Sequence, residues 1–281
     1  MASPELSDPG SARVRKLRRL ARRAYRTDQR QFLVEGVNSV REALTAHDNR
    51  GANVGEVIVS ASAVERVPEL MALASRVEAP VTVASEAVLN VLCETVTPQG
   101  IVAVVDFLDV PLGVVLDGRP QLVALLADAR DPGNAGSVVR AADAAGAAAV
   151  IFAGDSVDPY NGKVVRASVG GLFHLPIVTG VSLADAVQQL RASTMQVLVA
   201  DGAGDTDLDS RELAARLRDP TGWVFGNEAW GVTSDTLALA DAVVRIPIYG
   251  AAESLNLATA AALCLYASAS AQRSLGQAEP T

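Results

Sequence analysis

The sequence has little of what staples or metallates a protein. Its two cysteines, Cys93 and Cys264, stand far apart and in no CxxC pattern, which argues against a disulfide framework or a zinc site and fits a reducing cytoplasm. Its two histidines, His47 and His174, are isolated and read as structural, and no Ser/His/Asp set or metal cluster emerges. A Walker A motif is lacking, because "DPYNGKVV" has Gly162-Lys163 without the earlier glycine. The N-terminus shows no apolar core of the kind a signal peptide carries. One stretch, Ser254 to Ala271 ("SLNLATAAALCLYASASA"), runs eighteen residues without a charge. That length could span a bilayer. It is built of Ala, Ser, Thr and Asn, however, and lacks the Leu/Ile/Phe density that drives insertion. It reads as a buried helix with Ser254 at its N-cap, and neither a membrane nor a metal is expected as a partner.

What is present is size and an uneven charge. The 281 residues suffice for one large domain or two ordinary ones, and at 49% hydrophobic they can bury roughly three quarters of the unfolded surface. Arg13, Arg15, Lys16, Arg18, Arg19, Arg22, Arg23, Arg26 and Arg30 face one acid, Asp28. The net charge of −8 is therefore the difference between +8 in this segment and −16 elsewhere. Such a patch suits a grip on a phosphate backbone; a solvated helix face is the plainer alternative.

Periodicity predicts a polar, disordered tail over 1–10, then a helix from Ser11 with arginines on its outer side. "QFLVEG", "EVIVS", "PVTVA" and "GIVAVVDF" read as strands. They alternate with helices at "VNSVREALTAH", near 64–77 and at 85–93, giving a small α/β domain over 11–107. Residues 108–120, with two prolines and two glycines, read as a linker. A second alternating series over 121–273 places strands at 122–127, 148–153, 173–177, 195–200, 221–226 and 242–248. These are continuous apolar runs of the kind found in a parallel sheet covered on both faces. A polar tail closes the chain at 274–281.

Open parallel sheets bind ligands beyond the carboxyl ends of their strands. Four such loops stand out. "ADARDPGNAGSVVRAAD" makes a strand-to-helix turn, with Arg140 about one turn inside the helix and able to point back; a plain helix cap is the alternative. "VADGAGDTDLD" narrowly misses two nucleotide signatures, with Asp207 where a dinucleotide fingerprint needs glycine, and reads as a turn bordering a ligand. "WVFGNEAWGV" ends a strand in Gly226-Asn227-Glu228, where the carboxylate could bind a hydroxyl or cation or merely cap a helix. "IPIYGAAE" leads into Ser254-Leu255-Asn256.

Three of these loops, in this order, resemble the motifs of the SpoU (TrmH-like) family of SPOUT RNA 2′-O-ribose methyltransferases: "DPGNAGSVVRAA", "FGNEAWGV" and "IPIYGAAESLNLATAAALCLY". Upstream, "RRAYRTDQRQFLVEGVNSVREAL" is similar to the start of the ribosomal-protein-like RNA-binding domain of many members, and "KVVRASVGGLFHLPI" to a further family stretch. The resemblance implies an α/β protein with a trefoil-knotted, parallel-sheet C-terminal domain, preceded by a small α/β RNA-binding domain. It implies S-adenosylmethionine as cofactor, held at Gly226, Asn227, Ile246 and Leu255 with Ala200, Asp201 and Gly202 nearby. Asn134, Arg140, Glu228, Ser254 and Asn256 match the family's polar active-site positions. A homodimer through the C-terminal domain, a cytoplasmic location and ribosomal rather than transfer RNA as substrate are implied too. With that resemblance the basic segment reads as an RNA grip. A non-catalytic RNA-binding or ribosome-assembly protein on the same scaffold is the chief alternative, and a Rossmann-type methyltransferase using Gly202 and Gly204 is the other.

The implied reaction must take a proton from a neutral ribose hydroxyl. An arginine has a pKa above about 12, so a charged Arg140 makes a poor simple base. Either a dry pocket beside phosphate lets it take the proton transiently, or it clamps the target phosphate while another group accepts; the second costs less.

Overall fold

The computed structural model describes residues 5–227 and 231–274. Its contacts divide the chain into two units. The first runs to Leu108 and takes in Tyr160–His174; the second holds Asp109–Pro159 and the chain from Leu175 on.

The first unit opens with α1 (Ala12–Arg18) and α2 (Arg23–Gln29), then β1 (Gln31–Glu35), α3 (Val37–Arg50), β2 (Val54–Ser60), α4 (Ala61–Arg66) and α5 (Pro68–Arg76). β3 (Val81–Ala84), α6 (Glu86–Leu92) and β4 (Ile101–Asp106) follow. The sheet order is β1-β4-β2-β3, with only β2 and β3 parallel. Local chemistry starts the helices where they start. Ser60 and Ser85 accept from the N–H groups of Ala63 and Val88, each satisfying a donor that the first turn leaves unpaired.

Several expectations change here. The helix predicted from Ser11 is interrupted: Arg19–Ala21 form a 3-10 turn and Arg22 is extended (φ −96°, ψ 126°). The carbonyls that the break exposes, on Leu20 and Ala21, accept from Arg26 Nη1 at 2.9 and 2.8 Å. The tail predicted over 1–10 is not a tail from Leu6 on. Leu6 is buried and pairs beside β3, donating to Val83 O and accepting from Ser85 N–H. The helix expected near 64–77 is two helices, because Pro68 has no N–H to continue the first.

In the second unit come α7 (Leu112–Asp117), β5 (Leu122–Ala127), α8 (Pro132–Ala145) and β6 (Ala149–Ala153). The segment predicted as a linker therefore contains a helix, and Val110 N–H bonds to Ile177 O at 2.9 Å. The next element, α9 (Gly162–Ser168), belongs to the first unit with the rest of Tyr160–His174. Aromatic packing explains this: the Tyr160 ring lies 4.0 Å from Phe107 and 4.7 Å from Phe32, and Arg166 pairs with Glu94 and the buried Glu35. Phe173 is buried in the same cluster within a 3-10 turn, so the strand expected at 173–177 forms instead at β7 (Ile177–Val181). Burial, with Glu35 nearby, pushes the Cys93 thiol up to about 12, and burial raises Cys264 as well; both cysteines are free.

The second unit continues with α10 (Leu183–Ala192), β8 (Gln196–Ala200), β9 (Thr206–Asp207), α11 (Arg211–Arg216) and β10 (Thr221–Phe225). α12 (Ser234–Ala238), β11 (Ala242–Arg245) and α13 (Leu257–Ser274) complete it. Its seven strands are all parallel, in the order β7-β6-β5-β10-β8-β11-β9. Every residue of β5, β6 and β10 is buried, as the apolar runs require. From β11 near one edge, the chain returns across the sheet as α13 and packs on β10, β5 and α8. There the Trp223 indole N–H donates to Ser268 Oγ at 2.8 Å, both groups buried. Among the described residues no helix is long and apolar enough to cross a membrane.

Candidate active site

Strand register sets the site. Phe225 pairs with Ala200 and Ala200 with Val244, so β10, β8 and β11 end level with one another. The segments that leave these ends, around Asp201, Gly226 and Ile246, wall one cavity of about 800 Å³. The stretch from Ile246 to Asn256 forms its far side, with Ser254 and Leu255 in the wall. All seven residues singled out for the cofactor line this cavity: Ala200, Asp201, Gly202, Gly226, Asn227, Ile246 and Leu255.

Backbone makes much of the wall, and the glycines are the reason. A Cβ on Gly226 would stand 2.5 Å from Gly231 O, so the two limbs of that loop could not approach with any other residue there. They are joined by a reciprocal pair of bonds, Asn227 N–H to Gly231 O and Gly231 N–H to Asn227 O, each 2.9 Å. Asn227 is buried, and its Nδ2 donates to Asp128 O at 2.7 Å, tying this loop to the end of β5. Gly204 is packed against β11, where a Cβ would meet Val243 O at 2.7 Å. The loop after β8 is thus a fitted wall of the cavity.

Two asparagines close the rim. Asn256 Nδ2 donates to Asn134 Oδ1 at 2.9 Å, while its own Oδ1 accepts from Ala258 N–H. Asn256 therefore caps α13, in place of the Ser254 cap expected from sequence. Ser254 stands two residues earlier, exposed on the cavity wall. Asn134 sits in the first turn of α8, its N–H bonded to the Asp131 carboxylate at 2.7 Å. Pro132 and Gly133, read as a turn, already belong to that helix.

Arg140 is not in the wall. It is exposed on α8, six residues past Asn134, and hence roughly 120° away around the helix axis. Glu228 lies outside the described residues. Among the described residues no group of three or more His, Cys, Asp or Glu could hold a metal ion. His47 Nδ1 accepts from Val54 N–H and His174 Nε2 bonds to Glu42, both structural contacts.

Sequence reasoning missed the ion pair of Asp207 with Arg245, 2.7 Å apart on the cavity wall, and Glu253, which also lines the cavity. β9 is only two residues long, so nothing in the pattern announced a strand bringing Asp207 to Arg245. The basic segment also needs editing. Arg26 is only 3% exposed and spends its guanidinium on carbonyls, so it leaves the set of phosphate contacts. Arg13 pairs with Glu56 and Arg15 donates to Gly10 O, whereas Lys16, Arg18, Arg22 and Arg23 are exposed.

The profile of the SpoU rRNA Methylase family matches residues 121–266, and that of the RNA 2′-O ribose methyltransferase substrate-binding domain matches residues 33–111. The chain is 32% identical over 267 residues to the 23S rRNA (guanosine(2553)-2′-O)-methyltransferase RlmP of Bacillus subtilis, covering 93% of this chain and 98% of that one. Among solved structures it is similar to the SpoU methyltransferase AviRb of Streptomyces viridochromogenes in complex with AdoMet: TM-score 0.81, 31% identity, 94% and 99% of the two chains. An AdoMet-bound rRNA methyltransferase of Sinorhizobium meliloti aligns with TM-score 0.78 and 29% identity over 96% and 97%. The chain belongs to the SpoU rRNA methylase family.

Proposed function

We propose that this protein methylates a ribose 2′-hydroxyl of RNA, using S-adenosylmethionine, and that the RNA is ribosomal. The observation that carries the reading is the convergence of three strand ends and the Ile246–Asn256 stretch on one cavity, with the Asn134–Asn256 bond at its rim. The cavity fits the cofactor. It is large, has apolar surface from Val244, Ile246 and Leu255, and presents bare backbone at Gly202, where a Cβ would meet nothing within 4 Å. When bound, S-adenosylmethionine supplies a methyl group already activated by its sulfonium charge.

The chain's own residues then have distinct tasks. Gly226, Asn227, Ile246 and Leu255 hold the cofactor chiefly through backbone, with Ala200, Asp201 and Gly202 alongside. Ser254 and Asn256 position the target ribose, and Asn134, held by Asn256, orients the acceptor hydroxyl or accepts its hydrogen bond. Arg140, exposed and outside the cavity wall, is free to reach a phosphate of the target RNA. That placement favours the clamp over the transient base, with Arg140 holding the phosphate beside the target ribose while another group accepts the 2′-hydroxyl proton. Exposed Leu263 and Tyr266 on α13 give a face for a homodimer, and the return of α13 across the sheet supports a knotted path. A cytoplasmic location accompanies a ribosomal substrate.

Calorimetry with S-adenosylmethionine, and mapping of ribose methylation in RNA from cells with and without this protein, test the reading together. Binding plus a methylation lost from one ribosomal nucleotide is expected. No binding at millimolar ligand would leave a non-catalytic scaffold, and loss of a transfer-RNA methylation instead would change the substrate.

A further inference from the structure

The first unit contains a cleft of about 260 Å³, which shares no lining residue with the cavity of the second. Its floor is apolar, made by Leu17 and Leu20 of the basic segment and Val104 of β4. Tyr25 forms an aromatic wall, and the Arg19 guanidinium sits 4.1 Å from its ring centroid, holding the ring by a cation–π contact. Gln29 and Gln31 add two side-chain amides. Their nitrogens donate to Asp28 and Asp106 at 2.8 and 3.0 Å, so both amides are held and offer their oxygens as acceptors. Lys16 brings a positive charge to the cleft, and the one acid there, Glu56, is bonded by both Arg13 and Thr82.

The strand beneath is broken at the same place. The register of β2 against β4 slips between Val54 and Glu56, and Gly55 lines the cleft. A Cβ on Gly55 would meet only Val104 O, at 3.8 Å. Packing within the chain therefore does not require glycine here. A glycine at a bulge that faces a cleft leaves the backbone open to close approach. The chemistry that matches an apolar floor, a held aromatic ring, amide acceptors and a cation is a nucleobase with its phosphate.

We propose that this cleft is a slot for one unstacked nucleotide of single-stranded RNA, its base against Tyr25 and its phosphate near Lys16. The proposal rests on RNA being the substrate and assigns a place to a nucleotide other than the methylated one. Bases in a duplex cannot enter such a slot, so the contact selects an unpaired segment and tolerates its sequence.

The test uses the full chain and a fluorescein-labelled, mixed-sequence RNA of roughly twelve nucleotides, within the usual single-strand site size, read by anisotropy. Tyr25→Ala should weaken binding at least about fivefold, the loss of one base–aromatic stack, and Tyr25→Phe should restore it. Gly55→Leu, which fills the slot from the far side, should weaken binding to a similar degree. Neither substitution removes a charge, so the salt dependence of the residual binding stays as in the parent. Melting curves of all three variants verify folding, and ultraviolet crosslinking of the oligonucleotide should label the peptide around Tyr25. Parent-like binding by folded Tyr25→Ala and Gly55→Leu, crosslinks confined to other peptides, or no binding of this RNA by the parent would each overturn the slot. Cofactor binding by the parent chain, measured in parallel, reports on the methyltransferase reading separately.

Discussion

The cavity of the second unit is walled largely by main chain: Gly226 closed on Gly231, Gly204 pressed on β11, and strand ends fixed by parallel pairing. The basic segment of the first unit works in the opposite way, with long cationic side chains on two short helices and a bend at Arg22. The difference follows from what each is to hold. A cofactor of one shape is met by preorganised backbone, which needs close approach and little side-chain entropy. A phosphate backbone of variable path is met by mobile charges, whose contribution is diffuse and screened by salt. Substitutions should therefore act sharply in one region and by small, additive steps in the other.

The sharpest loss should come from the residue between these two styles. Arg140 is a side chain acting on RNA beside a backbone-built cavity. Arg140→Ala should lower turnover at least about 100-fold, a barrier change near 2.7 kcal/mol, with S-adenosylmethionine affinity nearly intact. Single-turnover methyl transfer and calorimetry on the same preparation measure both. Near-parent turnover would remove Arg140 from the reaction, under either the clamp or the base version.

Two glycines of the cavity then separate wall from space. Gly226→Ala places a Cβ 2.5 Å from a backbone oxygen, so the loop must open, and cofactor affinity should fall by more than about tenfold, or 1.4 kcal/mol. Gly202→Ala meets nothing within 4 Å, so the chain should melt as the parent does. Parent-like affinity in folded Gly226→Ala, by calorimetry, would mean that the paired loop does not shape the site.

A third substitution bears on how α13 is fastened over the sheet. Ser268→Ala leaves the buried Trp223 N–H without its acceptor, which should cost about 1–3 kcal/mol in denaturant unfolding. Trp223→Phe removes that donor along with the indole, so Ser268→Ala made on that background should cost less. Equal costs in both backgrounds would deny the bond any role.

The cavity was more legible in the sequence than the basic segment, for physical reasons. Apolar runs such as "LVALLA" and glycines at strand ends report directly on buried parallel strands and close loops, and the seven cofactor positions that the family resemblance implied fall on one cavity. Where two conformations compete, the pattern was silent. Nothing in the composition around Arg22 marks a break whose carbonyls are repaired by Arg26, six and five residues on from Leu20 and Ala21. Ser254 and Asn256 are both good N-caps, and only the bond to Asn134, 122 residues distant, picks the asparagine. Phe173 left the predicted strand because it stacks on Phe32, in the first unit, to which Tyr160–His174 also belong.

The smallest effect is the one that tests the diffuse grip. If the segment neutralises about four phosphates, log K against log salt should have a slope near −3 for single-stranded RNA. Arg22→Ala or Arg23→Ala, on exposed positions, should each make that slope shallower by about 0.7 while leaving the melting temperature unchanged. Arg26→Ala should do the reverse, lowering stability and leaving the slope alone, because its guanidinium serves two carbonyls inside the fold. Deleting the segment would be a poorer test, since Val14 and Leu20 are buried and would be lost with it. A slope unmoved by Arg22→Ala and Arg23→Ala together would make the segment a solvated face, and one moved by Arg26→Ala would mean that the buried arginine comes out to meet RNA.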